Sequence, residues 1–386
     1  MAASSDAGHF FQTSDSVALS ERRAVKAKNK RGNPIALPSK ILALIRDIDE
    51  PENVLVAEAA GDVKRVRLET SNVQKIYTQG SAPLTCLARC PKTGTLFAGS
   101  WDKHIHVFGS GTERRPTLLS GHSDFVKCLL TTVVSGTPIL ISGGADSNII
   151  IWNTRTLKQI RKLKTSAKSL QDLAIDPESL PEGATEPRDS FVLFTANSGP
   201  SIQRWHVRLD TAYELPESFD APIEAHDTSV YKLCFDADGD LWTASADKTA
   251  KHLIRHRDWQ ADTVLQHPDF VRDVVVADDA GVVVTACRDE EVRVWDAASG
   301  DLLCTYSGHY QEVIGLVLMG SSVVSASIDG TVRRWGLKKQ EMTRYLEDLK
   351  REQTGDDLSE VQSGKKKGVL TAEEEAELAE LMDEDA

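Results

Sequence analysis

Histidines and aspartates at fixed distances are the residues of this chain whose types and spacing best suit chemistry. His122, His226, His267 and His309 each stand four residues ahead of a valine that opens an apolar-rich run. Asp146, Asp289 and Asp329 each precede a tryptophan by six residues. An imidazole, a carboxylate and a hydroxyl together are the parts of a nucleophilic acyl-transfer site. Repetition argues against that use, because an enzyme needs one such set beside one cleft. A carboxylate that accepts turn hydrogen bonds and orients a neutral imidazole explains the pattern as a structural clasp. Metal sites fare no better. His252 and His256 fall on a strand and the turn after it, too far apart to share a ligand, and Cys86 and Cys90 have no second pair. Phosphate-cradling and dinucleotide-binding glycine motifs are missing from the sequence. No catalytic residue, metal, cofactor or small-molecule substrate is therefore expected.

The elements that would carry these residues follow from composition and repetition. The chain has 386 residues, 40% hydrophobic and 27% charged, as in a soluble globular protein. No apolar run approaches the ~18 residues of a spanning helix, and the N-terminus lacks the pattern of a secretion signal. Six scattered cysteines point to reduced thiols in an intracellular compartment. The net charge is −13, and from Thr371 onward eight acidic residues stand without a basic one. The remainder is nearly balanced, which disfavours a wholesale grip on nucleic acid.

SGHSDFVKCLL, EAHDTSVYKLCF, LQHPDFVRDVVV and SGHYQEVIGLVL are copies of one pattern, with His226, His267 and His309 spaced by 41 and 42 residues. From His122 to His226 is 104 residues, which fits two units with an insertion. SGGADSNIIIW, TACRDEEVRVW and SASIDGTVRRW are copies of a second pattern, echoed by AGSWDKHIHVF and TASADKTAKHL. Weaker copies run from Gly199 to Trp205 and from Asp62 to Leu68. Seven units result between about residues 38 and 337. Runs such as NIIIW, GVVVTA and EVRVW are short and β-branched, with Gly/Asp/Ser turns between them. Four strands per unit of 40-odd residues describe the blade of an all-β propeller.

With Gly-His near the start of units and tryptophan near their end, about 300 residues of the chain resemble the WD40-repeat family. The resemblance implies a seven-bladed β-propeller. It also implies hydrogen-bonded tetrads within blades: His122–Ser142–Asp146–Trp152, His267–Thr285–Asp289–Trp295 and His309–Ser325–Asp329–Trp335, with His226–Thr243–Asp247 ending incompletely at Leu253. Family geometry puts Trp101, Phe125, Phe270, Arg288, Tyr310 and Ile328 on the top face, where aromatics and arginine suit a protein partner. A basic stretch, Arg155 to Lys168, falls on an outer edge strand, where charge discourages unwanted pairing or anchors an acidic partner.

Four segments follow. Residues 1–37 form an N-terminal extension whose run ERRAVKAKNKRG is a linker or an import address, with a ring-closing strand expected within Val25–Leu37. Residues 38–337 form the propeller and 338–352 a helix. Residues 353–386 hold a polar linker and an acidic amphipathic tail, with Leu378, Leu381 and Met382 on one face as a motif for a partner's groove. The function expected is a non-enzymatic scaffold or adaptor binding other proteins or peptides in an intracellular complex, cytoplasmic or nuclear. The protein is expected to be a monomer within a hetero-complex, with no membrane or direct nucleic-acid partner. The alternatives are a substrate receptor of a cullin-type ubiquitin ligase, on an approximate WDxR box at Trp152–Arg155, or a subunit of a ribosome-assembly, nuclear-pore or chromatin complex.

Overall fold

Apolar β-branched runs broken every few residues by glycine and aspartate turns form strands, because such side chains pack well on a pleated surface. The computed structural model describes residues 14–78, 82–109, 117–181 and 189–365. Its strands make seven antiparallel sheets, the blades of a β-propeller. Blade 1 orders Ile41–Arg46, Asn53–Glu58, Asp62–Arg67 and Asn72–Thr78. Blade 2 orders Leu84–Arg89, Leu96–Ser100, His104–Phe108 and Thr117–Ser120. Blade 3 holds Val126–Val134, Thr137–Gly144, Asn148–Asn153 and Lys158–Lys164. In blade 4, after Leu170–Ile175, Ser190–Asn197 and Ser201–Arg208, the outer position is split between Ala212–Glu214 and Ile223–Glu224. A short helix, Glu217–Asp220, separates those two pieces. Blade 5 runs through Val230–Phe235, Leu241–Ser245, Thr249–Ile254 and Gln260–Gln266. Blade 6 runs through Val271–Ala277, Val282–Cys287, Glu291–Asp296 and Leu302–Ser307.

Blade 7 takes three strands, Val313–Met319, Ser322–Ser327 and Thr331–Gly336, from the end of the repeat region. Its outer position is filled by Ile35–Ala36, paired as Ile35 with Val332 and Ala36 with Thr331. The same segment buries Ile35 and Leu37 in an apolar cluster with Ile41 and Val54 of blade 1 and Val324 and Val332 of blade 7. Pairing the last edge this way leaves no open ladder of backbone groups at the seam. Two further contacts fix the segment. Gly32 adopts a φ of +68° directly over the Trp335 ring, where a Cβ would come within 2.7 Å. Arg333, 1% exposed, donates to the carbonyl oxygens of Arg31 at 2.5 Å and Asn29 at 3.3 Å.

The first strands of successive blades neighbour one another around a closed circle. Further apolar clusters fill the spaces between blades, as where Ile139, Ile141 and Ile151 of blade 3 meet Leu173, Phe191 and Trp205 of blade 4. The second strands of blades 1, 2, 5, 6 and 7 are buried along their whole length, for example Val282–Cys287 and Ser322–Ser327.

Three features differ from the sequence expectation. The basic N-terminal run is partly helical, spanning Ser14–Lys26, and it is engaged by the propeller as described below. Beyond the propeller, one helix runs from Lys339 to Lys365, through the stretch expected as a polar linker. That stretch contains no proline to break the helix. In blade 1, Ala57 pairs with Val63, so Ala60 is at the centre of the turn and Asp62 opens the third strand instead of holding the clasp position. The tail residues Leu378, Leu381 and Met382 lie outside the described residues.

Candidate interaction surface

One rim of the propeller collects the loops of interest. The first residues of each first strand pair with the last of the second, as Val126 does with Gly144. The loop entering a blade and the turn between its second and third strands therefore share this rim. The clasp histidines sit in the entering loops and the aspartates in the turns. In blade 3, His122 Nε2 lies 2.8 Å from Ser142 Oγ, its Nδ1 lies 3.0 Å from Asp146, and Trp152 Nε1 donates to Ser142 Oγ at 3.0 Å. Blade 7 repeats the arrangement with His309, Ser325, Asp329 and Trp335 at 2.8–3.0 Å. In blade 5, His226 bridges Thr243 at 2.7 Å and Asp247 at 2.8 Å, and Leu253 fills the tryptophan position. Burial pushes the pKa of His122 and His309 down, against the pull of their aspartates. Burial opposes the charge on Asp146, but the Ser123 amide and the His122 and Asn148 side chains outweigh it and bring the carboxyl to about 2.

Blade 6 corrects the expected tetrad. His267 Nε2 meets Thr285 at 2.8 Å and Trp295 donates to the same hydroxyl at 2.9 Å, but His267 Nδ1 faces the Leu265 carbonyl at 3.0 Å. Asp289 is taken by Arg293, whose two terminal nitrogens lie 3.1 and 2.6 Å from its oxygens. With no carboxylate on the ring, burial and the nearby Arg293 push His267 down to about 4.

Arg293 belongs to a set that sequence reasoning missed. Two residues before the tryptophan position on the third strand, six of seven blades carry a long polar side chain facing the clasp space. These are Lys64, His106, Gln203, Lys251, Arg293 and Arg333, and blade 3 has Ile150. Lys64 pairs with the buried Glu58 at 2.6 Å, and His106 lies 2.8 Å from Asp102. Gln203 donates to Glu214 at 2.7 Å and Lys251 to the Ala225 carbonyl at 2.9 Å. Blades 1 and 2, which lack a clasp histidine, are thus stapled from the third strand. The signal was present as a polar residue recurring at this one position of the repeat.

The rim residues expected to meet partners fall into two groups. Trp101 and Phe125 stack with ring centroids 5.4 Å apart and remain 49% and 39% exposed. Arg288 stands over Phe270 at 5.1 Å and is exposed. Tyr310 is folded down, its hydroxyl donating to the Asp329 carbonyl at 2.9 Å, and Ile328 is partly buried beside it. The N-terminal helix lies over this part of the rim. Lys26 reaches Glu290 at 2.9 Å and Glu291 at 2.7 Å, Arg23 reaches Glu290 at 3.1 Å, and Leu19, Ala24 and Ala27 line a groove with Tyr310 and Gln311. On the outer edge of blade 3, Lys162 and Lys164 reach back to rim carbonyls of Gly121 and Asp146 at 2.7 and 2.8 Å. Asn153 caps its own turn, accepting from the amides of Arg155 and Thr156 at 2.9 and 3.0 Å. Among the described residues, no group of three histidine, cysteine or acidic side chains is placed to hold a metal ion, and no helix is long and apolar enough to cross a membrane.

The profile described as "WD domain, G-beta repeat" matches residues 71–108, 114–153, 219–252 and 260–296. A WD repeat-containing protein of Schizosaccharomyces pombe is 32% identical over 390 residues, covering 97% of this chain and 98% of its own. The chain belongs to the WD-repeat family. Nuclear distribution protein PAC1-1 of Uncinocarpus reesii is 23% identical over 334 residues, 83% of this chain and 73% of that one. The THO complex subunit 6 homolog of Danio rerio is 27% identical over 128 residues, 31% of this chain and 35% of its own. WD-repeat propellers generally serve as non-catalytic scaffolds that bind other proteins. The offset between repeat and blade explains the seam. The first matched stretch covers the outer strand of blade 1 and three strands of blade 2, so each WD repeat lends its first strand to the blade before it. Blade 7 has no following repeat and must borrow from the N-terminus.

Proposed function

We propose that this WD-repeat protein is a non-enzymatic scaffold whose partner proteins dock on the rim at blades 2 and 3, inside the cell, in the cytoplasm or nucleus. The single observation that carries this reading is the stacked, half-exposed Trp101–Phe125 pair. Two large rings left in water cost free energy that a partner's apolar side chain recovers, and tryptophan is a common centre of interface energy. The clasp histidines are buried and tied to structural partners, which supports a role in rigidity over one in catalysis. The relatives named for complexes, such as the THO complex subunit 6 homolog, accord with a place in a hetero-complex.

Affinity purification with mass spectrometry tests the reading, using wild type, Trp101→Ala/Phe125→Ala and a truncation after Gln353 as baits. Partners lost from the double variant support the rim. Partners lost only from the truncation would move the function to the C-terminal segment, where Leu378, Leu381 and Met382 are the proposed contacts. If all three baits kept the same partners, the rim reading would be wrong.

A further inference from the structure

Every first strand carries a bulge near its start, where the pairing skips one residue. Bulges re-aim the side chain they isolate. The seven skipped residues all stand one position after a buried residue, all are partly exposed, and together they ring the inner mouth of the rim. None is acidic. Two are cations, Lys127 in blade 3 and Arg272 in blade 6, and Tyr231, Thr85 and Gln171 are polar.

The two cations are in different situations. Arg272 lies over the Tyr231 ring at 4.3 Å and pairs with Glu312 at 2.8 Å. Lys127 has neither a carboxylate nor a hydrogen-bond partner among the described residues. Burial lowers its pKa and the positive charge of Arg272 lowers it further, outweighing the pull of Asp124. A shielded ammonium in the field of a second cation gains free energy when an anion reaches it. Two residues upstream on the same strand entry, Phe125 stacks on Trp101.

We propose that the rim at blades 2 and 3 is an anion socket for an acidic peptide segment: Lys127 receives a carboxylate side chain while a neighbouring apolar side chain of the peptide lies on Trp101 and Phe125. The charge of the ring selects the acidic residue, and the aromatic pair selects what stands next to it. This inference rests on the rim reading above and adds the chemistry of the partner.

The test is selection from a randomised dodecapeptide pool with blocked ends, captured at physiological ionic strength by the immobilised full chain and sequenced. We expect aspartate or glutamate enriched about fivefold at one position, as one partly shielded ion pair allows, with an aromatic or aliphatic residue within two positions. Lys127→Met should abolish the acidic preference and keep the apolar one, and Lys127→Arg should keep both. A pool without acidic enrichment, or with the same enrichment on Lys127→Met, overturns the socket. In that case, an apolar preference that disappears on Trp101→Ala leaves the rim reading standing. A pool that Trp101→Ala does not change sinks the rim reading too.

Discussion

The rim at blades 2 and 3 and the rim at blades 6 and 7 start from similar sequence and end in different states. Both carry aromatics and a cation in their rim loops, Trp101, Phe125 and Lys127 on one side and Phe270, Arg272 and Tyr310 on the other, with Phe125 and Lys127 at the positions of Phe270 and Arg272. At blades 6 and 7 the chain satisfies these groups itself. Arg272 has Glu312 and Tyr231, Tyr310 has the Asp329 carbonyl, and the N-terminal helix covers Glu290. At blades 2 and 3 the rings stack only on each other, and Lys127 has no partner among the described residues. The same residue types thus serve architecture where the chain supplies partners and remain available for recognition where it does not.

The N-terminal segment supplies part of this self-satisfaction, through Glu290 and the groove beside Tyr310, so loosening it is the strongest way to break the comparison. Arg333→Met removes the donations of a buried guanidinium to the carbonyls of Asn29 and Arg31. We expect a loss of about 1–3 kcal/mol in unfolding free energy by urea titration, as for charged hydrogen bonds lost at a part-buried seam. An unchanged midpoint would show that Ile35–Ala36 and Gly32 hold the seam without the arginine.

Acid separates two histidines next, His267 of blade 6 and His252 of blade 5. His267 faces a neutral carbonyl and has a folded pKa of about 4, below its ordinary value of ~6.5. Unfolded protein therefore takes up the proton first. The stability from His267 is fully present above pH ~6.5 and is lost as pH falls from there through about 4. His252 works with the opposite sign. Burial alone would lower its pKa, but Asp236 and Asp262, at 2.9 and 3.0 Å, outweigh it and raise the value. Its contribution is full below pH ~6.5 and is lost as pH rises through the raised value. Thermal melts should fall by several degrees, roughly one to two kcal/mol, from pH ~7 to ~5, and His267→Gln should flatten that slope. His252→Gln should flatten the decline on the alkaline side instead, and equal slopes in wild type and both variants would contradict the assignments.

The repeat made the propeller readable, because seven copies of a strand-and-turn pattern leave few other folds. Positions defined by spacing alone, such as Asp146 and Trp152, were readable for the same reason. What stayed hidden depended on contacts that spacing alone does not fix. Asp289 matches the clasp spacing, yet Arg293, only four residues on, captures it in place of His267. The Asp62 register failed because Ala60 and Gly61 make the blade 1 turn without an aspartate at its centre. Tyr310 and Trp101 are both aromatics in rim loops, and nothing local says that a helix 290 residues away will settle beside Tyr310. The recurrence of a polar residue at one repeat position, as Lys64, His106, Gln203 and Arg293, was a legible signal, since a polar residue in a buried slot requires a partner.

Releasing the helix sharpens the comparison at smaller cost. Glu290→Lys reverses the charge that Arg23 and Lys26 hold. Arg23 and Lys26 are partly exposed but Glu290 is buried, so we expect about 1–2 kcal/mol of destabilisation. Hydrogen exchange should rise across Ser14–Lys26 while the blades stay protected, since a short helix without its tertiary contacts is marginal in water. Unchanged exchange would mean that the groove against Tyr310 and Gln311 holds the helix unaided.

The smallest stability effect belongs to the region expected to matter most for binding. Trp101→Ala removes one ring of an exposed stack, and an aromatic pair of that kind contributes about 0.5–1 kcal/mol beyond its burial. Melting should shift by only a degree or two, within the range of an ordinary surface substitution. A core tryptophan behaves otherwise: Trp335, 3% exposed and bonded to Ser325, should cost about 3–5 kcal/mol when cut to alanine. The contrast is the test. If Trp101→Ala destabilises the propeller as severely as Trp335→Ala, the stack is part of the frame and the open rim has no surplus to offer a partner. If it leaves folding intact and abolishes capture of partners, then this aromatic pair does for another protein what Tyr310 does within the chain.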